Sequence, residues 1–144
     1  MNATLEGADN LEIRVQSPGG MRLDAELGGF TVSTDQPEAD GGDNSAPSPF
    51  DLFLASLATC AGYYVLVVCR QRKLPTEGIV LKMTNDWNEN KHLAEKIGLE
   101  ISLPADFPAK YHKALLRAAG MCTVKRHLDN PPAFAFTIRN GRPD

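Results

Sequence analysis

Residues 48–73 read SPFDLFLASLATCAGYYVLVVCRQRK, and this stretch decides the fold. Ser48 suits the N-cap of a helix, Pro49 suits the first helical position, and Asp51 places an acid at the third. The stretch ends in three basic residues, which favour the negative end of a helix dipole: Arg70, Arg72 and Lys73. Because Pro75 cannot continue a helix, the pattern predicts one long helix from Pro49 to about Lys73.

The predicted helix is apolar on all sides. Residues 52–69 carry no charge over 18 positions, which just reaches the length of a membrane-spanning candidate. Ser56, Thr59 and Gly62 make the stretch only weakly apolar by membrane standards, and the flanking sequence alternates as in a soluble domain. We therefore predict a buried central helix, no membrane association, and a second subunit that covers part of its apolar surface.

Short alternating segments precede this helix. Residues 10–16 and 21–26 alternate apolar and polar side chains around the turn sequence SPGG, which indicates a β-hairpin. Residues 30–34 predict a third strand. Residues 35–48 are rich in glycine, proline and acids without periodicity, so we expect an exposed connecting loop that is long enough to move.

The sequence after the helix predicts further strands and helices. Residues 78–87 and 96–103 are typical of two strands joined by a polar turn, and residues 108–119 form an amphipathic helical pattern that stops at Gly120. Cys122 begins a short helical turn, and residues 133–138 predict a last strand. Because strands and helices occur in blocks, we expect an α+β fold in which residues 1–144 form one domain, its sheets wrapped around the long helix.

Composition excludes several classes of function. The 144 residues carry a net charge of −3 and contain no basic run, which argues against nucleic acid or acidic membrane as a partner. The first residues, MNATLEGADNLEIRV, lack a basic segment followed by an apolar one, so we predict a cytoplasmic protein. Structural disulfides are uncommon in that reducing compartment, and the cysteine count of three is odd.

The three cysteines differ in their surroundings. Cys60 lies mid-helix on a face with Phe53, Tyr63 and Tyr64, which fits either a reactive thiol in a pocket or a cysteine that packs as a small hydrophobe. Cys69 lies nine residues further on, on the opposite side and about 13 Å along the axis, and we interpret it as a packing residue.

Cys122 precedes a basic helical turn, KRH, at residues 125–127. A thiol at a helix N-terminus near cations has a lowered pKa, so we expect Cys122 to be an attacking or resolving sulfur. The histidines at 92, 112 and 127 have no ligand spacing, and neither CxxC nor HExxH occurs. We therefore expect no metal and no cofactor.

Two segments together resemble the OsmC/Ohr family: PSPFDLFLASLATC at residues 47–60, and AAGMCTVKRHL at residues 118–128. The resemblance implies an intertwined homodimer with Cys60 as the peroxidatic cysteine and Cys122 as the resolving one. It implies reduction of an organic hydroperoxide through a sulfenic acid and a disulfide, which an external dithiol then reduces. The expected substrate pocket is lined by Phe53, Tyr63 and Tyr64.

The sequence departs from the peroxidase pattern at one position. Peroxidase members hold an arginine near the cysteine with a glutamate ten residues before it, and that position here is Phe50. Asp51 is better explained as an acid of the helix cap. Arg14 and Arg22 are candidates for the activating arginine, and we favour Arg22. The alternative is a non-catalytic module that binds a small hydrophobic ligand at the dimer interface.

Overall fold

The computed structural model describes residues 11–141, an α+β chain with two antiparallel sheets and one long helix. It divides into two compact units, one that runs to Ala55 and one that begins at Ser56. The predicted fold class is confirmed. That residues 1–144 form one domain stays a prediction, and Asn10, at the start of the first predicted strand, lies outside the described residues.

The first unit contains an antiparallel meander of strands β1 (Arg14–Gly19), β2 (Arg22–Leu27) and β3 (Phe30–Thr34). Gly28 and Gly29, with φ of 52° and 82°, form the two-residue turn between β2 and β3. Positive φ at both positions suits the right-handed twist of a hairpin, and glycine adopts it without a steric penalty. The three strands confirm the predicted hairpin and third strand, although β1 continues into the expected turn.

A buried carboxylate organises the loop after β3. Asp35 accepts hydrogen bonds from the backbone N–H groups of Gln36 (2.8 Å), Asp43 (3.2 Å) and Ser45 (3.0 Å), and from the Ser45 hydroxyl (2.6 Å). Gly42 leaves no space for a side chain, since a Cβ there would lie 2.0 Å from the Gln36 carbonyl oxygen. Internal hydrogen bonds therefore hold the connection that the sequence led us to expect as mobile.

The long helix α1 runs over Pro49–Gln71 and begins as predicted. The Ser48 hydroxyl accepts the Asp51 N–H, and the Asp51 carboxylate accepts the Ser48 N–H, each at 3.2 Å. This reciprocal pair is a capping arrangement that satisfies two otherwise free donors. The helix ends two residues before the predicted end, where Lys73 adopts a left-handed conformation with φ of 55°.

Helix α1 is apolar but largely uncovered in the single chain. It is the one helix among residues 11–141 that is long and apolar enough to cross a membrane, with 22% of its 18-residue apolar window buried. The buried residues repeat every four positions and so form a single stripe: Leu57, Ala61, Val65 and Cys69. Tyr63 and Leu66, outside this stripe, are 45% and 46% exposed.

The second unit packs the C-terminal part of α1 with a hairpin of strands β4 (Val80–Asn88) and β5 (Leu93–Ser102) and with helices α2 (His112–Ala119) and α3 (Thr123–Asp129). Its buried core joins residues of α1 to residues of the α2 region: Ala61, Val65, Cys69, Phe107, Leu115 and Ala119. The predicted elements are present, with β5 starting earlier and α2 starting later than the sequence indicated.

The predicted last strand is wrong for the single chain. Residues 133–138 are described but form no strand, and the apolar side chains of Phe134, Phe136 and Ile138 are 77%, 92% and 97% exposed. Alternation of apolar residues suits a strand, but a strand also requires a neighbour with which its backbone can pair. No such neighbour pairs with this segment in the described part of the chain.

Asp35 gives a pH-dependent test of the loop. Its hydrogen bonds, above all from the Ser45 hydroxyl, lower the pKa of the carboxyl to about 2, below the ordinary value of about 3.9. The ionised carboxylate therefore stabilises the fold at pH values above the ordinary pKa. This stabilisation is lost as the pH falls towards 2. We expect Asp35→Asn to lower the urea midpoint at pH 7 and to flatten its pH dependence below pH 4, with Asp40→Asn as the matched control. An unchanged pH dependence in Asp35→Asn would contradict this account.

Candidate two-cysteine site

Cys60 and Cys122 meet within the second unit. Helix α1 carries Cys60, and Cys122 is the N-cap residue of α3. Cys60 is partly exposed, Cys122 is 2% exposed, and both are free thiols. The two side chains are neighbours, near enough for Cys60 to raise the pKa of the Cys122 thiol. The fold thus brings together the two cysteines of the predicted site, which are 62 positions apart in sequence.

The Cys122 sulfur is held from both sides. It accepts the backbone N–H of Lys125 at 3.4 Å, which caps the first turn of α3. Its S–H donates to the Leu57 carbonyl oxygen of α1 at 3.8 Å. Next to it, the hydroxyl groups of Tyr64 and Thr123 share a hydrogen bond of 3.0 Å. These contacts fix the start of α3 against α1.

The predicted low pKa of Cys122 is wrong. Burial raises the pKa of the Cys122 thiol, and Cys60 raises it further, against the lowering effect of the Lys125 and Val124 backbone N–H groups. One of the three cations expected to favour the thiolate is engaged elsewhere, since the Lys125 ammonium pairs with Asp129 at 2.8 Å. Desolvation therefore outweighs the helix terminus and favours the protonated thiol at Cys122.

A cavity of about 420 Å³ adjoins Cys122. Its lining is mostly apolar, with Lys125 and Asp129 as the charged contributors. The apolar lining comes from α1, the hairpin and both short helices, and includes Leu57, Met83, Leu99, Leu116 and Leu128. A cavity of this size and polarity fits the apolar part of a small organic molecule.

The sequence did not identify this lining. Leu99 and Ile101 alternate along β5 and so share one face of the hairpin, which is the only signal that the sequence offers for them. Which helix covers that face depends on tertiary packing.

The role of three aromatic residues as the lining of a substrate pocket stays a prediction. The Phe53 ring packs against Phe50, with centroids 5.6 Å apart, in the first unit. Tyr63 packs edge to face on Tyr64 at 5.3 Å and is partly exposed, whereas the Tyr64 hydroxyl bonds to Thr123. None of the three lines the cavity beside Cys122.

The arginine candidates both have partners in the first sheet. The Arg22 guanidinium pairs with Asp24 at 3.2 Å and donates to the Ser33 hydroxyl at 3.1 Å. Arg14 pairs with Glu12 at 2.6 Å. The assignment of Arg22 to the site stays a prediction. Asp51 acts in the helix cap, as the sequence indicated.

Cys69 is a packing residue, as predicted. It is fully buried in the core of the second unit, and burial raises the pKa of its thiol. Within residues 11–141, no group of three or more histidine, cysteine or acidic side chains is arranged to hold a metal ion.

Comparison with known proteins identifies the family. The family model for OsmC-like proteins matches residues 42–137. A search of curated proteins gave no match. Among solved structures, a Psychrobacter arcticus 273-4 protein, named for osmotic stress induction and a detoxification response, is 22% identical with a TM-score of 0.71. The match covers 79% of this chain and 85% of that one.

Two further structures are named for organic hydroperoxide resistance. The OsmC protein of Legionella pneumophila is 19% identical with a TM-score of 0.56, over 83% of this chain and 88% of that one. OhrB of Bacillus subtilis is 20% identical with a TM-score of 0.52, over 84% and 92% of the respective chains. At these identities the structures establish the fold, whereas the family model covers most of the sequence. The chain belongs to the OsmC-like protein family.

Proposed function

We propose that this protein reduces organic hydroperoxides, with Cys60 and Cys122 as its redox couple. Membership of a family with solved relatives named for organic hydroperoxide resistance supports a role in peroxide stress. The observation that carries the specific proposal is the proximity of two free cysteines that are distant in sequence. Two adjacent thiols can pass reversibly between the reduced and disulfide forms, as a peroxidase requires.

Cys60 is the attacking cysteine in this proposal because it is the more accessible of the two. Its thiolate attacks the outer peroxide oxygen, the O–O bond breaks, and the alkoxide takes up a proton to leave as an alcohol. Cys60 becomes a sulfenic acid, and the peroxide is reduced by two electrons. Cys122, buried with a raised pKa, is poorly suited to this first attack.

Cys122 then resolves the sulfenic acid. Its sulfur attacks the Cys60 sulfur, the S–O bond breaks, and the leaving hydroxide takes the thiol proton to form water. The product is a Cys60–Cys122 disulfide. An external dithiol reduces this bond and becomes a disulfide itself, which returns both cysteines to the thiol form.

The cavity beside Cys122 supports an organic substrate over hydrogen peroxide. Its lining is largely apolar, so the alkyl or aryl part of a hydroperoxide gains by leaving water. At about 420 Å³, the cavity falls within the range of small-molecule sites, roughly 300–1,000 Å³.

We also propose an intertwined homodimer in the cytoplasm. Several apolar side chains are exposed in the single chain: Tyr63 and Leu66 on α1, and those of residues 133–138. A second copy of the chain would bury them. A neighbouring sheet edge in that copy would supply the backbone partner that residues 133–138 lack. A reducing compartment keeps the two cysteines in the thiol form that the cycle requires.

A second candidate is a non-catalytic module that binds a small hydrophobic ligand at the dimer interface. Two observations favour it: Phe50 stands where the resembled peroxidases have glutamate, and Arg22 is already paired with Asp24 and Ser33. In that case the cavity beside Cys122 would serve binding alone.

Thiol counting separates these candidates. One equivalent of cumene hydroperoxide on the reduced protein should consume two of the three thiols, and peptide mapping should find a Cys60–Cys122 disulfide. In the Cys122→Ser variant, the reaction should stop at the Cys60 sulfenic acid, because no resolving thiol is present. In the Cys60→Ser variant, the remaining thiols should stay reduced over the same time. Cys69→Ser is the matched control and should behave as wild type. Three unreacted thiols in the wild-type protein would leave ligand binding as the better account.

Arg22 is tested by its effect on the first step. If its guanidinium stabilises the Cys60 thiolate, Arg22→Gln should slow the oxidation of Cys60 by about tenfold, as expected for loss of one charge-assisted contact. Arg14→Gln removes the same charge from the neighbouring strand and should have little effect. Equal rates in wild type and Arg22→Gln would remove Arg22 from the site.

Sedimentation equilibrium tests the dimer. We expect the wild-type protein to have twice the mass of one chain at micromolar concentration. Leu66→Glu places a charge on the exposed face of α1 and should shift the equilibrium towards monomer, because an unpaired charge is costly to bury. Gln71→Glu adds the same charge at the end of α1 and should remain dimeric. A monomeric wild-type protein would rule out the dimer.

A further inference from the structure

Two pairs of contacting residues join α1 to the start of α3. Cys60 and Tyr64 lie one turn apart on α1 and therefore on the same face. Cys122 and Thr123 are consecutive at the start of α3. The Cys60 side chain interacts with Cys122, and the Tyr64 hydroxyl bonds to the Thr123 hydroxyl at 3.0 Å. The hydroxyl pair is thus the immediate neighbour of the thiol pair.

The Cys122 sulfur has only weak hydrogen bonds of its own. Its contacts to the Leu57 carbonyl and to the Lys125 N–H are 3.8 Å and 3.4 Å long. Sulfur is a weak donor and a weak acceptor, so these bonds contribute little to holding the start of α3. The Tyr64–Thr123 bond is shorter and joins two oxygen atoms, which makes it the stronger tie at this point.

We propose that Tyr64 is a positioning residue whose hydroxyl, through Thr123, holds Cys122 in place for disulfide formation with Cys60. This inference rests on the proposed redox couple, and it gives Tyr64 a different role from the substrate contact that the sequence suggested. This role requires no contact of Tyr64 with the peroxide or with the reacting sulfur atoms. It acts on the position of the helix that carries one of them.

The geometry of a disulfide makes this position important. The two Cβ atoms must come within about 3.5–4.5 Å of each other. When Cys122 attacks the Cys60 sulfenic acid, its sulfur leaves the Leu57 carbonyl and gives up its role as the acceptor that caps α3. The Tyr64–Thr123 bond does not involve either sulfur, so it can hold the start of α3 while the bond forms.

A slower resolving step has a chemical consequence. A sulfenic acid that waits for its partner meets a second peroxide, which adds another oxygen to form a sulfinic acid and releases another alcohol. Loss of the Tyr64 hydroxyl should therefore leave the first oxidation of Cys60 unchanged and increase its overoxidation.

Conservative variants and a peroxide-free oxidant test the proposal. Tyr64→Phe and Thr123→Val each remove one hydroxyl group. Diamide oxidises a dithiol to a disulfide and is itself reduced to a hydrazine, so it forms the Cys60–Cys122 bond without a peroxide.

We expect disulfide formation to be about fivefold slower in either variant, the factor that corresponds to one neutral hydrogen bond. The double variant should be no slower than either single one. Tyr111→Phe, with its ring beside Arg72 and Lys110, is the matched control and should keep the wild-type rate.

A second readout separates positioning from a general loss of structure. In a Cys122→Ser background, Tyr64→Phe should leave the alkylation rate of Cys60 unchanged, whereas a disturbed α1 would change it. With excess cumene hydroperoxide, Tyr64→Phe should accumulate Cys60 sulfinic acid faster than the wild type. Wild-type rates with diamide in Tyr64→Phe would overturn the positioning role. A wild-type protein that forms the disulfide with diamide but not with peroxide would overturn the proposed peroxidase function alone.

Discussion

The buried thiol of Cys122 constrains the rest of the candidate site. Its sulfur caps α3 and also contacts the backbone of α1, so one desolvated atom lies between the two helices. Desolvation raises its pKa and outweighs the N–H groups at the helix terminus. Cys60, on α1, is the more accessible of the two thiols and is the attacking cysteine in the proposed cycle. The difference in burial is the basis on which we propose different roles for two chemically identical side chains.

Helix α1 also has apolar surface that the single chain does not bury. Helix α1 is apolar around its circumference, yet in the single chain its burial is confined to the stripe that ends at Cys69. Several large apolar side chains are therefore exposed to water, namely Tyr63, Leu66 and those of residues 133–138. Burial of such surface is favourable, so association with a second copy would stabilise the protein. The proposed dimer is thus connected to the proposed site through one helix.

Local signals were sufficient for much of the fold. The capping pair of Ser48 and Asp51 and the uncharged run that follows predicted α1. The alternation in the flanking segments predicted the five strands found among residues 11–141. Each depends on residues that are close in sequence. The pairing of Cys60 with Cys122 was also predicted, but only from the resemblance to a family.

The predictions that failed or were missed depend on residues distant in sequence. Residues 133–138 have the pattern of a strand and lack the partner that would make them one. The pKa of Cys122 was predicted from its neighbours in the chain, whereas its value depends on burial. The buried carboxylate of Asp35 gave no pattern, because its donors are backbone N–H groups and a serine up to ten residues away. The lining of the cavity likewise combines three helices and a hairpin.

The claim that Cys60 and Cys122 are a redox couple is tested most directly in the unmodified sequence. The ¹³Cβ resonance of a cysteine moves to a separate range when its sulfur enters a disulfide. We would record these resonances in cysteine-labelled protein before and after one equivalent of cumene hydroperoxide. The account predicts that the signals of Cys60 and Cys122 move together into the disulfide range while Cys69 remains reduced. Movement of Cys69, or no movement of Cys122, would contradict it.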